Sequence, residues 1–156
     1  MRQFRFYQYA CLLWCVNVVL AILSYLISGF VYTVIVLFPA VIIGFGAMIS
    51  FAIKERIGLA QVMKRSAVWS KIIALASILY TLVNFLICMI LLMEGGPHID
   101  NGVYYLSNHG SIVREITKAE YEALLKVEGR MFIGHLLAFS SLPVVFFSAQ
   151  KNINKF

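Results

Sequence analysis

The sequence predicts an all-α transmembrane protein, a four-helix membrane bundle that forms one integral membrane domain over residues 1–156. Hydrophobic residues make up 62% of the chain and charged residues 13%, whereas an ordinary soluble domain has roughly 45–50% and 25%. Four apolar runs each approach or exceed the roughly 20 residues needed to span the hydrocarbon core. The one long polar stretch, residues 94–130, holds six of the seven carboxylates.

The first two apolar runs predict spans at about residues 7–27 and 30–53. The first run exceeds the roughly 7–15 apolar residues of a signal-peptide core, and no Ala-x-Ala cleavage site follows it. Ser28 and Gly29 leave only a minimal break between the two runs. We therefore expect these helices to form an antiparallel hairpin.

A basic connector separates the second span from the third. Residues 54–71 carry five basic side chains and one acid, Glu55, interspersed with apolar positions. This pattern predicts an interfacial helix lying among lipid headgroups, with Trp69 at the membrane surface. The third and fourth spans are predicted at about residues 72–93 and 131–149.

Three residues within the spans are candidates for helix packing. Asn17 and Asn84 are the most polar residues at mid-membrane depth, and Gly44 lies in a small-residue patch that a second helix can approach closely. We expect the two asparagines to form hydrogen bonds between helices. The alternative is that they contact a ligand or line a pore.

The distribution of basic residues predicts the orientation. Placing both termini and the connector on one side puts nine of the thirteen basic residues there, with a net charge of +8, and leaves −2 on the other side. Cytoplasmic loops of membrane proteins carry the excess of Lys and Arg. The sequence therefore predicts a multi-pass protein of the cytoplasmic membrane with both termini cytoplasmic and residues 94–130 outside. The basic residues form no stripe of the kind that binds nucleic acid.

The outer segment, residues 94–130, predicts a small extracytoplasmic cap between helices three and four. Residues 103–106 and 111–116 are strand-like and flank a turn at Asn108, His109 and Gly110, which indicates a β-hairpin. Turn-forming residues dominate the stretch before this hairpin. We therefore expect that stretch to be an irregular loop that leads out of the membrane.

A helix is predicted to follow the hairpin, from Lys118 to about Glu128. Thr117 and Glu120 match a capping box at its beginning. Because Gly129 is the only helix-weakening residue before the last span, we expect this helix to continue into helix four with a kink. Because an isolated hairpin is marginally stable, we expect it to pack on this helix or on a partner.

The run from Tyr104 to Thr117, followed by Glu120 and Tyr121, resembles an outer loop of small bacterial four-span membrane proteins. That loop has a Tyr-Tyr-Leu segment, a His-Gly turn, and a strand that ends in Thr or Ser before a helix. The resemblance covers about a quarter of the chain. It implies the fold and the membrane location, and it carries no assigned activity.

Catalytic and metal-binding patterns are weak. His98, His109 and His135 fall near the predicted outer face, and imidazole suits zinc or copper, but their spacing matches no ligand motif. We therefore predict no metal and no cofactor, with these three histidines as the alternative site. The chain has no Gly-x-Ser-x-Gly elbow and no ionisable residue at mid-membrane depth, so we predict neither an enzyme nor a proton-coupled transporter.

These observations favour a non-enzymatic interaction protein: an accessory, sensor or immunity-type subunit whose cap or lipid-facing surface binds another membrane or extracytoplasmic protein. The alternative is a homo-oligomeric channel or membrane sensor. The patterned polar cap contrasts with helices that carry no catalytic groups. The residues predicted to bind the partner are Tyr104, Tyr105, Asn108, His109 and Arg114.

Overall fold

The long helices of this computed structural model lie where the apolar runs predict them. The structure describes residues 2–26 and 31–153. Within these ranges four helices are long and apolar enough to cross a membrane, judged by length and composition. The predicted break at Ser28 and Gly29 lies outside the described residues. The helices are α1 (Arg2–Leu23), α2 (Val31–Lys54), α3 (Leu59–Arg65), α4 (Val68–Leu91) and α5 (Lys118–Ile153).

The prediction of one interfacial helix across the connector is wrong. Only α3, seven residues long, forms there, and its ends are flanked by extended residues at Gly58 and Ser66. Trp69 and Lys71 belong instead to α4, which begins four residues earlier than the predicted span. The Ser148 hydroxyl accepts a hydrogen bond from the Ala67 N–H at the beginning of α4, 3.3 Å away.

Helix α5 is the centre of the molecule. It packs against α1, α2, α3 and α4, whereas these helices contact one another much less. Its 36 residues run without interruption through Gly129 and Pro143, a length of about 54 Å at 1.5 Å per residue. The predicted cap helix and last span are therefore one continuous helix. Gly129 is buried, so packing supports the helix where glycine alone would weaken it.

The predicted β-hairpin is a three-stranded antiparallel sheet in the order β1-β2-β3. The strands are β1 (Gly96–Asp100), β2 (Val103–Asn108) and β3 (Ser111–Glu115). The turn-rich stretch before the predicted hairpin, which was expected to be irregular, forms the additional strand β1. Two-residue turns at Asn101-Gly102 and His109-Gly110 join the strands, and all four residues have positive φ angles, as type I′ turns require.

The sheet and the connector lie at opposite ends of the bundle, because α4 begins beside the connector and ends just before β1. At the connector end the Tyr7 ring contacts the Trp69 ring at 6.2 Å. The Lys151 ammonium lies 5.0 Å from the centroid of the same Tyr7 ring. The beginning of α1, the connector and the end of α5 therefore share one end, which we call the basic end.

Candidate functional site

The sheet is fixed to the bundle by its inner face. Leu106 in β2 is 2% exposed and lies on the same face as Pro97, its partner across β1 and β2. Tyr104 lies two residues earlier on that face, and its ring contacts the ring of Tyr121 in α5 at 5.0 Å. These apolar contacts hold the sheet against the first turns of α5.

A second attachment runs through Arg114 on β3, which pairs with Leu106 across the strands. Its guanidinium donates from Nε and Nη2 to Glu94 Oε2, both at 3.0 Å, and from Nη2 to Glu120 Oε1 at 2.6 Å. Glu94 follows the end of α4 and Glu120 lies in the first turn of α5. We call these three residues the Arg114 bridge, and it joins β3 to the turn after α4 and to the first turn of α5.

The Arg114 bridge also shifts the pKa values of Arg114 and Glu120. The hydrogen bonds from Arg114 lower the pKa of Glu120, and those to Glu120 and Glu94 raise the pKa of Arg114. The predicted capping box contributes as well. The Glu120 N–H donates to Thr117 Oγ1 at 3.2 Å, and the Thr117 backbone N–H further lowers the pKa of Glu120. One carboxylate thus both caps α5 and pairs with β3.

The five predicted partner-binding residues divide into two groups. Tyr104 and Arg114 face the helices and are engaged within the chain, through Tyr121 and through the Arg114 bridge. Asn108 and His109 are exposed at the turn between β2 and β3. Tyr105 lies on the outer face, where its ring stacks on that of His98 at 5.9 Å. Only the second group is directed away from the rest of the chain.

The two edges of the sheet differ in their capacity to pair with another strand. On β1, Pro97 has no N–H to donate, and Gly96 lies against the Glu128 carboxylate of α5; proline is a common device for blunting an edge. On β3 all five residues are exposed. Ile112 is 67% exposed and Val113 50%. Val113 is the unpaired residue of a bulge opposite Leu106 and Ser107, and it separates the pairs made by Ser111 and Ile112 from those made by Arg114 and Glu115.

The three histidines are not gathered into a metal site. His98 stacks on Tyr105, and His109 occupies the β2–β3 turn. His135 Nδ1 lies 2.7 Å from the Met131 carbonyl oxygen within α5. Among the described residues, no three His, Cys, Asp or Glu side chains are grouped so as to hold a metal ion. The structure therefore gives the alternative metal site no support.

The three predicted packing residues all lie inside the bundle. The Asn84 side-chain N–H donates to the Arg130 carbonyl oxygen of α5 at 2.9 Å, as expected of an interhelical hydrogen bond. Gly44 faces Leu13 of α1, and a Cβ added to it would lie 3.5 Å from that side chain. Asn17 is fully buried, but it donates to the Leu13 carbonyl oxygen of its own helix. The expected interhelical bond from Asn17 is therefore absent among the described residues.

Sequence reasoning missed several residues that shape the site. The sequence pattern identifies Ile112 and Val113 only as strand formers, although two exposed apolar residues at a strand edge indicate a binding surface. Glu94 and Glu120 were not assigned to Arg114. A usable signal was present, since Arg114 is the only basic residue between positions 94 and 117. Comparisons of the chain with protein families, with curated proteins and with solved structures found no match.

Proposed function

We propose that this protein is a non-enzymatic interaction subunit of the cytoplasmic membrane. Its outer cap binds an extended segment of another extracytoplasmic protein, or of the outer part of a membrane protein, as a fourth strand beside β3. The observation that carries the proposal is the contrast between the two sheet edges. Addition of a strand to an open edge is a common mode of peptide recognition, in which backbone hydrogen bonds supply affinity and side-chain pockets supply specificity.

The membrane location is supported by the four long apolar helices and by the position of the charges. Exposed apolar residues are numerous on α1, α2 and α4, as expected for surfaces that face lipid. The basic end brings together the beginning of α1, the connector and the end of α5. By the positive-inside rule, this concentration of basic residues supports a cytoplasmic location for this end and an outer location for the sheet.

The geometry of the turns identifies the backbone groups available to a partner. Asn108 and Ser111 close the two-residue turn and form a cross-strand pair. Since hydrogen-bonded and non-hydrogen-bonded pairs alternate along antiparallel strands, the N–H of Ile112 points toward the open edge. Asn108, His109 and Tyr105 lie nearby and would contact the side chains of the bound segment. In this proposal Tyr104 and Arg114 position the sheet.

A photoactivatable residue in place of Val113, introduced into the full chain in its native membrane, tests the proposal. We expect a cross-link to a second protein that Ile112→Pro reduces about fivefold or more, because one backbone hydrogen bond at the edge is lost. The matched control is Ile99→Pro on β1. Ile99 is also exposed, at 51%, and also adjoins a turn-closing pair, so the cross-link should persist.

A cross-link that is equally strong in both proline variants would overturn the strand-pairing proposal. A cross-link only between copies of this chain would favour the homo-oligomeric alternative. Labelling of single cysteines placed in the β1–β2 turn and in the connector tests the orientation separately. We expect an impermeant reagent added outside to modify only the first.

A further inference from the structure

We propose that the side of the bundle between α2 and α4 binds an acyl chain of an anionic phospholipid, with the lipid phosphate at Lys71. This inference rests on the membrane location proposed above and is independent of the partner strand at β3. It assigns a second binding site at the opposite end of the molecule from the sheet.

The site is a gap in the ring of helices around α5. α1 lies beside α2, where Gly44 faces Leu13 and Tyr9, and beside α4, where Trp14 Nε1 donates to Ser77 Oγ at 3.0 Å. Between α2 and α4 there is instead a cavity of about 500 Å³. We call it the groove. Its volume lies within the range of about 300–1,000 Å³ typical of small-molecule sites.

The groove is apolar along its whole length. α5 contributes Leu142, Val145 and Phe146, while α2 and α4 form its two walls. Lys71 is the one charged side chain among its lining residues. An apolar occupant is required, because a polar group placed there would lose its hydrogen bonds to water without finding new partners.

The length of the groove distinguishes an acyl chain from a helix of a partner protein. Along α2 it extends from Phe45 to Ile53, a rise of about 12 Å, which is close to the roughly 15 Å of one hydrocarbon leaflet. At the basic end α3 closes it through Leu59 and Val62. A transmembrane helix of about 20 residues would run into α3, whereas a lipid chain entering from the bilayer would end beside it.

The charge at the mouth of the groove selects the headgroup. The Lys71 ammonium donates to the Met63 carbonyl oxygen at 3.1 Å, which holds it beside the last turn of α3. Exposed Lys54, Arg56 and Lys64 lie on the same connector, and Glu55 is its one acid. Basic pockets between transmembrane helices on the cytoplasmic side bind anionic lipid headgroups. The combination of apolar groove and basic rim therefore fits an anionic phospholipid of the inner leaflet.

Native mass spectrometry of the full chain, purified in detergent and titrated with lipid, tests this inference. The two probes are phosphatidylglycerol and phosphatidylethanolamine with identical oleoyl chains. We expect tighter binding of phosphatidylglycerol. Lys71→Gln should weaken it about fivefold, since one basic residue near a membrane surface contributes about that factor. It should weaken phosphatidylethanolamine less, because the ammonium group of that lipid offsets the charge of its phosphate. Glutamine retains a donor for the Met63 carbonyl oxygen.

A second variant tests the acyl chain. Ala52 lines the groove, so Ala52→Phe should weaken the binding of both lipids. The matched control is Ala76→Phe, because Ala76 is exposed on α4 and does not line the groove. Lys126→Gln, at the sheet end of α5, is the control for charge. Both controls should bind phosphatidylglycerol as the unchanged protein does.

Equal binding of the two lipids, with no effect of Lys71→Gln, would overturn the headgroup assignment even if Ala52→Phe failed to fold. Unchanged binding in a folded Ala52→Phe variant would place the lipid elsewhere. A dimer that Ala52→Phe dissociates would make the groove an interface between copies. Ile112→Pro should not alter the lipid titration, so failure of the partner proposal is distinguishable from failure of this one.

Discussion

The sheet end and the helical bundle hold their polar groups in opposite ways. At the sheet end, the Arg114 bridge joins three charged side chains, one from β3, one from the turn after α4 and one from the first turn of α5. In the bundle, the polar groups are small, neutral and buried, and several bond directly to backbone. Thr81 Oγ1 donates to the Gly134 carbonyl oxygen at 2.6 Å, and the Ser70 and Ser148 hydroxyls lie 2.8 Å apart. Each arrangement matches its environment. Exposed ion pairs are screened by water and salt, whereas small hydroxyl groups allow helices to pack closely.

We therefore expect bulky substitutions to destabilise the bundle, and substitutions that remove a charge to affect only the sheet. The largest effect is expected for Gly134→Leu in α5. A Cβ at this position would lie 3.0 Å from Asn84 Nδ2, so the larger side chain would separate α4 from α5. Overpacking of this kind costs about 1–3 kcal/mol, and the Thr81 and Asn84 hydrogen bonds would be lost in addition.

Unfolding in mixed detergent, followed by circular dichroism, measures this cost. The matched control is Gly46→Leu in α2, where an added Cβ meets nothing within 4 Å. The control should unfold at nearly the same detergent fraction as the unchanged protein. Equal destabilisation of both variants would show that the close contact between α4 and α5 does not depend on the absence of a side chain at Gly134.

A smaller and more local effect is expected for Arg114→Gln. Glutamine retains hydrogen-bonding groups but removes the charge that pairs with Glu94 and Glu120, so β3 should loosen while the bundle stays intact. Amide hydrogen exchange should accelerate in β3 and in the first turn of α5, with an unchanged unfolding midpoint. High salt should produce the same pattern in the unchanged protein.

Lys118→Gln is the control, because Lys118 lies 3.9 Å from Glu122 with both side chains largely exposed. A lowered global midpoint in Arg114→Gln would show that the sheet and the bundle unfold as one unit.

The smallest effect is the pH dependence of the sheet. The pKa of Glu120 is lowered in the folded protein, so its contribution is fully present above the pKa of the unfolded chain, near 4.3. It is lost as the pH falls through the lower folded value. The protection of the β3 amides, taken relative to their intrinsic exchange rate at each pH, should therefore decrease below about pH 4, and Glu120→Gln should abolish that dependence. Persistence of the same pH profile in Glu120→Gln would assign it to another carboxylate.

Local sequence pattern was sufficient for the apolar helices, because their signal is length and hydropathy. It was insufficient for β1, since Gly96 and Pro97 are characteristic of a loop and only pairing with β2 makes them a strand. The continuity of α5 through Gly129 was predictable, because glycine is the only helix-weakening residue between the cap helix and the last span. The pairing of Asn84 with Arg130 and of Arg114 with Glu94 depends on which residues of separate elements meet. The periodicity within one helix or strand does not indicate which residues of another element it will contact.

The central position of α5 has a consequence for biosynthesis. A ribosome makes α1, α2 and α4 before α5, yet these three helices contact one another little and find most of their packing on α5. Until α5 is synthesised, Ser70, Thr81 and Asn84 lack their partners on it, and the early helices have no common core. In the membrane location proposed above, we therefore expect the bundle to assemble only after its last helix has been made.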